Sequence, residues 1–169
     1  MSIESTLLGG VFNLDNFLKY KFCNELNYPD VSREYDVVFS EENREVCKAD
    51  LFYNKKNKEY KKSPVLVNIH GGGWIIGDKK NSTGFCLQFA NAGIFVMNIN
   101  YGLPPKYLFP HQMQTSMKAF DWLIANADKY NLDLENVFVS GDSAGAHFTS
   151  LVGAIQSDKE YAQALGVEQ

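Results

Sequence analysis

The stretch VFVSGDSAGAHF, residues 137–148, decides how the chain is read. A short apolar, β-branched run leads straight into a serine with glycine two residues before it and two after, Gly141 and Gly145. The run Val137 to Ser140 has strand character and the segment from Ala144 to about Gln156 helical character, so Ser143 falls on a strand-to-helix turn. A G-x-S-x-G pattern in that context is a nucleophile elbow. The turn is so tight that side chains at the flanking positions would collide with the neighbouring strand or helix, and glycine removes the collision. The serine is then expected in an uncommon backbone conformation with its hydroxyl lifted clear of the sheet. Behind it, the N–H groups of the opening helix face a developing negative charge. Taken alone the pattern is weak, because small residues also fill such turns merely to let a helix pack closely.

The rest of the chain supplies the context. Val65 to Ile69 and Ile94 to Ile99 are compact β-branched runs, as expected for strands covered on both faces. Ser82 to Ala92 reads as a short helix between them. Met113, Met117, Phe120, Ile124 and Ala127 step at helical spacing after Pro110, a residue suited to a helix start, and this helix is expected to run to about Tyr130. Upstream, Tyr35 to Phe39 and Val46 to Tyr53 read as an antiparallel, hairpin-like pair of strands. Residues 1–30 form an N-terminal segment with apolar residues at mixed three- and four-residue steps, an amphipathic helix interrupted at Gly9 and Gly10 and ended by Pro29. Alternating strands and helices after a hairpin predict an α/β domain over residues 31–169, with a mainly parallel sheet.

A second glycine cluster, His70-Gly71-Gly72-Gly73-Trp74, follows another predicted strand. Three consecutive glycines cost conformational entropy, so they mark backbone that must bend sharply or approach something closely. A phosphate cradle is one such use, but the run lacks both the G-K-[ST] ending of a P-loop and the G-x-G-x-x-G spacing of a dinucleotide fold. The other use is an oxyanion hole, in which amides of the loop join the amide after the nucleophile around a tetrahedral intermediate of acyl transfer.

HGGGWIIG at residues 70–77, YGLPPKYLFP at 101–110 and GDSAG at 141–145 together resemble the α/β-hydrolase esterases and lipases of the hormone-sensitive-lipase-like group, in order and spacing. The likeness covers most of the chain from about Tyr35 onward. It implies an α/β-hydrolase fold, with Ser143 as nucleophile and Gly72, Gly73 and Ala144 as donors of the oxyanion amides. Asp142 is then a helper inside the elbow rather than the triad acid. The likeness also implies a small, partly apolar ester of short to medium acyl chain as substrate, and no cofactor. It leaves residues 1–30 either folded over the cleft as a cap or packed on the sheet. Two positions depart from the pattern: Gly102 stands where the group usually has arginine, and Lys106 where it has an acid. A structural ion pair is therefore expected to be missing, with local stability rather than chemistry at stake.

A serine hydroxyl needs a base, and the base needs an acid to orient it. In this fold the order is Ser, acid, His. After Ser143 the sequence offers one histidine, His147, with Asp158 and Glu160 as the nearest acids. His147 lies in the helix that carries the elbow and reads as a packed or hydrogen-bonded helix residue. His70 reads as a holder of the glycine loop, and His111 as either a surface or a cleft residue. The group's sheet continues past the nucleophile strand, whereas here the strand count stops at five. The expectation is an N-terminal portion of a longer hydrolase, with its C-terminal strands missing. Its open edge would be completed by a complementing C-terminal segment or by self-association. Two other readings keep the fold: a non-catalytic ligand-binding protein, and an interaction subunit that pairs with a separately encoded half.

Composition narrows the field. The chain has 169 residues, 45% apolar and 21% charged, the profile of one globular domain, and its formal charge of −4 has both signs scattered, which excludes a polyanion such as nucleic acid as a partner. Cys23, Cys47 and Cys86 are widely spaced and odd in number, against both a disulfide framework and a zinc site, and predict reduced thiols in the cytoplasm. No apolar run approaches the ~20 residues needed to span a bilayer.

Overall fold

The computed structural model describes residues 26–56 and 62–168. The expected N-terminal helix lies almost wholly outside the described residues. Five strands form one mixed sheet: β1 (Val31–Val38), β2 (Lys48–Asn54), β3 (Ser63–Ile69), β4 (Phe95–Ile99) and β5 (Leu132–Gly141), in the order β1-β2-β4-β3-β5. β1 pairs antiparallel with β2 and β2 with β4, whereas β4, β3 and β5 run parallel to one another. The expected antiparallel start and parallel remainder are both present.

The continuous apolar runs are explained by layers on both faces. Leu66 and Val96 point to one face, where helix α1 (Thr83–Asn91) covers them with Cys86, Leu87 and Ala90. Val65, Val67, Ile69, Phe95, Met97 and Ile99 point to the other, beneath α2 (His111–Ala125) and α4 (Ala144–Ser157). Met113 and Met117 of the helical stripe are both core residues. The stripe does not run unbroken to Tyr130: α2 stops at Ala125, Asn126 intervenes with its side chain donating to the Trp122 carbonyl at 2.9 Å, and a single turn, α3 (Ala127–Tyr130), follows. Asn131, with φ +55, then turns the chain into β5. A short helix α5 (Lys159–Ala164) closes the described part, its start capped by Asp158, which accepts the Tyr161 N–H at 3.0 Å.

A polar row crosses the sheet on the α1 face. Asp50, Asn98, Asn68 and Ser140 are register partners on β2, β4, β3 and β5. Asn68 donates to Asn98 at 2.8 Å and Ser140 to Asn68 at 3.0 Å. At the β2 end Lys79, 1% exposed, donates to Asp50 at 2.6 Å and to Asp36 at 2.9 Å. Burial alone would depress the Lys79 ammonium, but its two carboxylate partners outweigh that and hold its pKa above the ordinary value.

Among the described residues β5 has only β3 as a neighbour. On its outer side Phe138 and Leu134 are 55% and 41% exposed, and Ile124 of α2 is 66% exposed. Beside Leu134 and Ile124 a groove of about 850 Å³ lies between α2 and α4, lined by Met117, Phe120, Val137, Val139 and Val152 among others.

Candidate active site

Parallel pairing brings the two glycine motifs together. Ile69, the last residue of β3, is the register partner of Gly141, the last residue of β5, so both motifs leave neighbouring strands at the same level. The elbow has the expected form. Ser143 is exposed, with φ +50 and ψ −115, and it is the N-cap of α4. A Cβ at Gly145 would run into the Ile69 carbonyl, and one at Gly141 would sit 2.7 Å from that same oxygen. The chain reverses on a 2.7 Å bond from the Gly145 N–H to the Asp142 carbonyl.

The glycine loop meets the elbow directly. The Gly71 N–H donates to the Asp142 carboxylate at 2.9 Å, a contact that spans 71 residues of sequence. Beyond it Gly72, Gly73 and Trp74 all have positive φ, +136, +58 and +65. The Gly72 carbonyl accepts the N–H groups of Ile75 and Ile76 at 3.2 and 3.1 Å, which closes the loop on itself.

Beneath the loop, His70 is buried, its Nδ1 donating to the Gly71 carbonyl at 2.7 Å. Its ring stacks on Tyr101 with centroids 4.3 Å apart, and the Tyr101 hydroxyl donates to the His70 carbonyl at 3.0 Å. Burial holds the imidazole below its ordinary pKa and pushes the Tyr101 phenol up, so both stay neutral. His70 thus shapes the glycine loop, as its position in the sequence suggests.

The BD-FAE family model matches residues 49–168, most of the chain and both glycine motifs. The chain belongs to the BD-FAE family. Its relatives include an ethyl acetate hydrolase of Pseudomonas putida, 30% identical over 58% of this chain and 31% of that protein. A tuliposide A-converting enzyme of Tulipa gesneriana is 35% identical over 58% of this chain and 28% of the enzyme. Among solved structures, Esterase B from Lactobacillus rhamnosis superposes with a TM-score of 0.87 at 28% identity, over 98% of this chain and 53% of the esterase. A bacterial heroin esterase, at 24% identity and a TM-score of 0.74, shares the fold. The chain thus spans about half the length of these solved esterases and about a third of the curated relatives it matches.

The histidines of this BD-FAE chain are engaged elsewhere than on the Ser143 hydroxyl. His147, on the exposed side of α4, accepts the Trp74 indole N–H on Nδ1 at 3.2 Å, the rings meeting edge to face at 5.9 Å. His111 lies against Tyr107, centroids 4.3 Å apart, with Nδ1 3.1 Å from the Thr115 hydroxyl. Among the described residues no group of three or more His, Cys, Asp or Glu is placed to hold a metal ion.

The two departures at Gly102 and Lys106 have local replacements. Where a side chain at 102 would project, the His111 and Tyr107 rings stand, each 2.6 Å from a would-be Cβ. Gln112 donates to the carbonyls of Gly102 and Tyr107 at 2.9 and 3.0 Å. Lys106 pairs instead with Glu45, which also accepts the Tyr107 hydroxyl at 2.8 Å; these donors hold the Glu45 carboxyl below its usual range. Gly102 offers no side chain for an ion pair with position 106, and the Lys106–Glu45 pair is a separate one. That pair is solvent-exposed and adds little stability.

Two features carry no signal in the sequence. The buried Lys79–Asp50 pair is hidden because neither residue looks different from a surface charge, and the Trp74–His147 contact joins residues 73 positions apart.

Proposed function

We propose that this chain carries the nucleophile half of a carboxylic ester hydrolase. Ser143 Oγ attacks the ester carbonyl carbon, the alcohol leaves with a proton, and water releases the acid from the acyl-serine. The N–H groups of Gly72, Gly73 and Ala144 stabilise the oxyanion, since a glycine loop and a helix N-terminus present fixed donors where charge develops. The observation that carries this reading is the contact between the two motifs: Gly71 bonded to Asp142, with Ile69 and Gly141 in register. A non-catalytic binder has no need of a strained serine pinned beside a glycine loop.

No histidine here is free to serve as base, so the acid and the base come from outside the described residues. We place their source at the open side of β5, where exposed Leu134 and Ile124 line an apolar groove on one face of the sheet and Phe138 is exposed on the other. A complementing C-terminal segment suits that edge, and self-association is the alternative occupant. The names of its relatives favour a small ester of a short acyl group: one is an ethyl acetate hydrolase, another a versiconal hemiacetal acetate esterase. Among the described residues no helix is long and apolar enough to cross a membrane. The unpaired, buried Cys47 and Cys86 favour a reducing, cytoplasmic setting.

Incubating the purified chain with a fluorophosphonate probe, beside Ser143→Ala, tests the assignment. One phosphonyl group on Ser143, absent from the variant, is the expected result. An adduct on another residue, or equal labelling of both proteins, removes Ser143 from its role.

A further inference from the structure

The indole N–H of Trp74 can only donate, so the 3.2 Å contact fixes His147 as the acceptor, with its own ring proton on Nε2. Trp74 is bulky, half exposed and has φ +65, a conformation that side chains of its size rarely adopt. Such a residue persists only when its surroundings over-determine it. The Gly72 and Gly73 backbone before it is soft, since glycine resists neither sign of φ. On the solvent side, His147 supplies the contact that holds the tryptophan, by a hydrogen bond and an edge-to-face ring pair.

We propose that His147 is a positioning residue of the ester-hydrolase centre. By accepting the Trp74 N–H it ties the far end of the glycine loop to the helix that begins at Ser143, as Asp142 ties the near end through Gly71. The loop is then clamped at one end to the elbow and at the other to the helix that leaves it, and the amides between, Gly72 and Gly73, keep a fixed position relative to the serine. Preorganised donors of this kind lose their value if they must reorganise as charge develops. This inference rests on the esterase reading for its consequence, but not for its geometry.

The test is heteronuclear NMR on the full chain, with three single variants and one double variant. His147→Phe keeps a ring and removes the acceptor; His147→Asn keeps an acceptor close to the position of Nδ1; Trp74→Phe removes the donor and assigns the indole signal against Trp122. In His147→Phe the Trp74 indole resonance shifts, and the elbow-bound amide of Gly71 and the loop-closing amides of Ile75 and Ile76 exchange about fivefold faster, the loss of one hydrogen bond. His147→Asn restores both, and in the Trp74→Phe background His147→Phe adds nothing further. Unchanged amides of β3 and β4 establish that each variant is folded, and if His147→Phe fails this check, Trp74→Phe alone makes the same comparison. Exchange at Gly71, Ile75 and Ile76 that ignores the loss of either partner, or an Asn variant that behaves like the Phe variant, overturns the proposal. Faster exchange with the phosphonate adduct on a residue other than Ser143, or with equal labelling of Ser143→Ala, leaves the tether standing and removes the esterase reading; an adduct on Ser143 with unchanged exchange removes the tether alone.

Discussion

Replacing Ser143 by glycine should make the protein more stable, although it removes the reacting group. Ser143 sits at φ +50 and ψ −115, outside the regions open to residues with a Cβ. Such a conformation costs of order 1–3 kcal/mol. Glycine relieves it but brings about 0.5–1 kcal/mol of additional chain entropy to the unfolded state. The net gain is ~0–2.5 kcal/mol, about 1 kcal/mol at mid-range, worth about 2–4 °C of melting temperature per kcal/mol in a domain of this size. Ser143→Ala is the control, because it keeps the Cβ and therefore the strain, and its lost hydroxyl is exposed. Urea unfolding followed by circular dichroism reads the difference as a higher midpoint for glycine than for alanine at equal slope. A glycine variant no more stable than the alanine variant would refute the idea that the elbow stores strain.

Three further outcomes follow from the packing. Lys79→Met leaves Asp50 buried without its cation and should cost about 3–5 kcal/mol in the same unfolding assay, while adding Asp50→Asn should recover much of it; equal losses in single and double variants would mean the pair is not coupled. Burial holds His70 below its ordinary value of 6.5. The unfolded chain therefore takes up that proton first, and the contribution of His70 is complete above pH 6.5 and falls as pH drops from there toward the folded value. Unfolding midpoints of the wild type and His70→Gln should accordingly converge in acid, and parallel profiles would remove His70 as the cause. At the β5 edge, Phe138→Glu should suppress any concentration-dependent association seen by sedimentation velocity; association that persists unchanged would place it on another surface.

How much of this was legible beforehand differs from element to element. Val65 to Ile69 and the run ending at Ile99 announced buried parallel strands, because residues covered on both faces leave no polar alternation. The apolar run predicts β5 from Val137, whereas the strand begins at Leu132. Its first half, with Asp133, Glu135 and Asn136, lies on an open edge and is broken in register against β3 between Pro64 and Val65, so its polarity resembled a loop. The break at Asn126 was equally hidden, since the apolar spacing on either side stays helical. At the site, the motifs located Ser143 and the glycine loop, for steric needs leave glycine in the sequence. The clasps between them, Gly71 to Asp142 and Trp74 to His147, were not legible, because each depends on two strands finishing side by side.

The account stands on the amides of Gly72, Gly73 and Ala144 converging on the oxygen of a group bound to Ser143. A crystal structure of the chain phosphonylated at Ser143 measures this directly. The phosphoryl oxygen is expected within about 3 Å of the Ala144 nitrogen and of at least one glycine-loop nitrogen. A phosphoryl oxygen turned to solvent, with the Gly72 and Gly73 amides facing elsewhere, would contradict it.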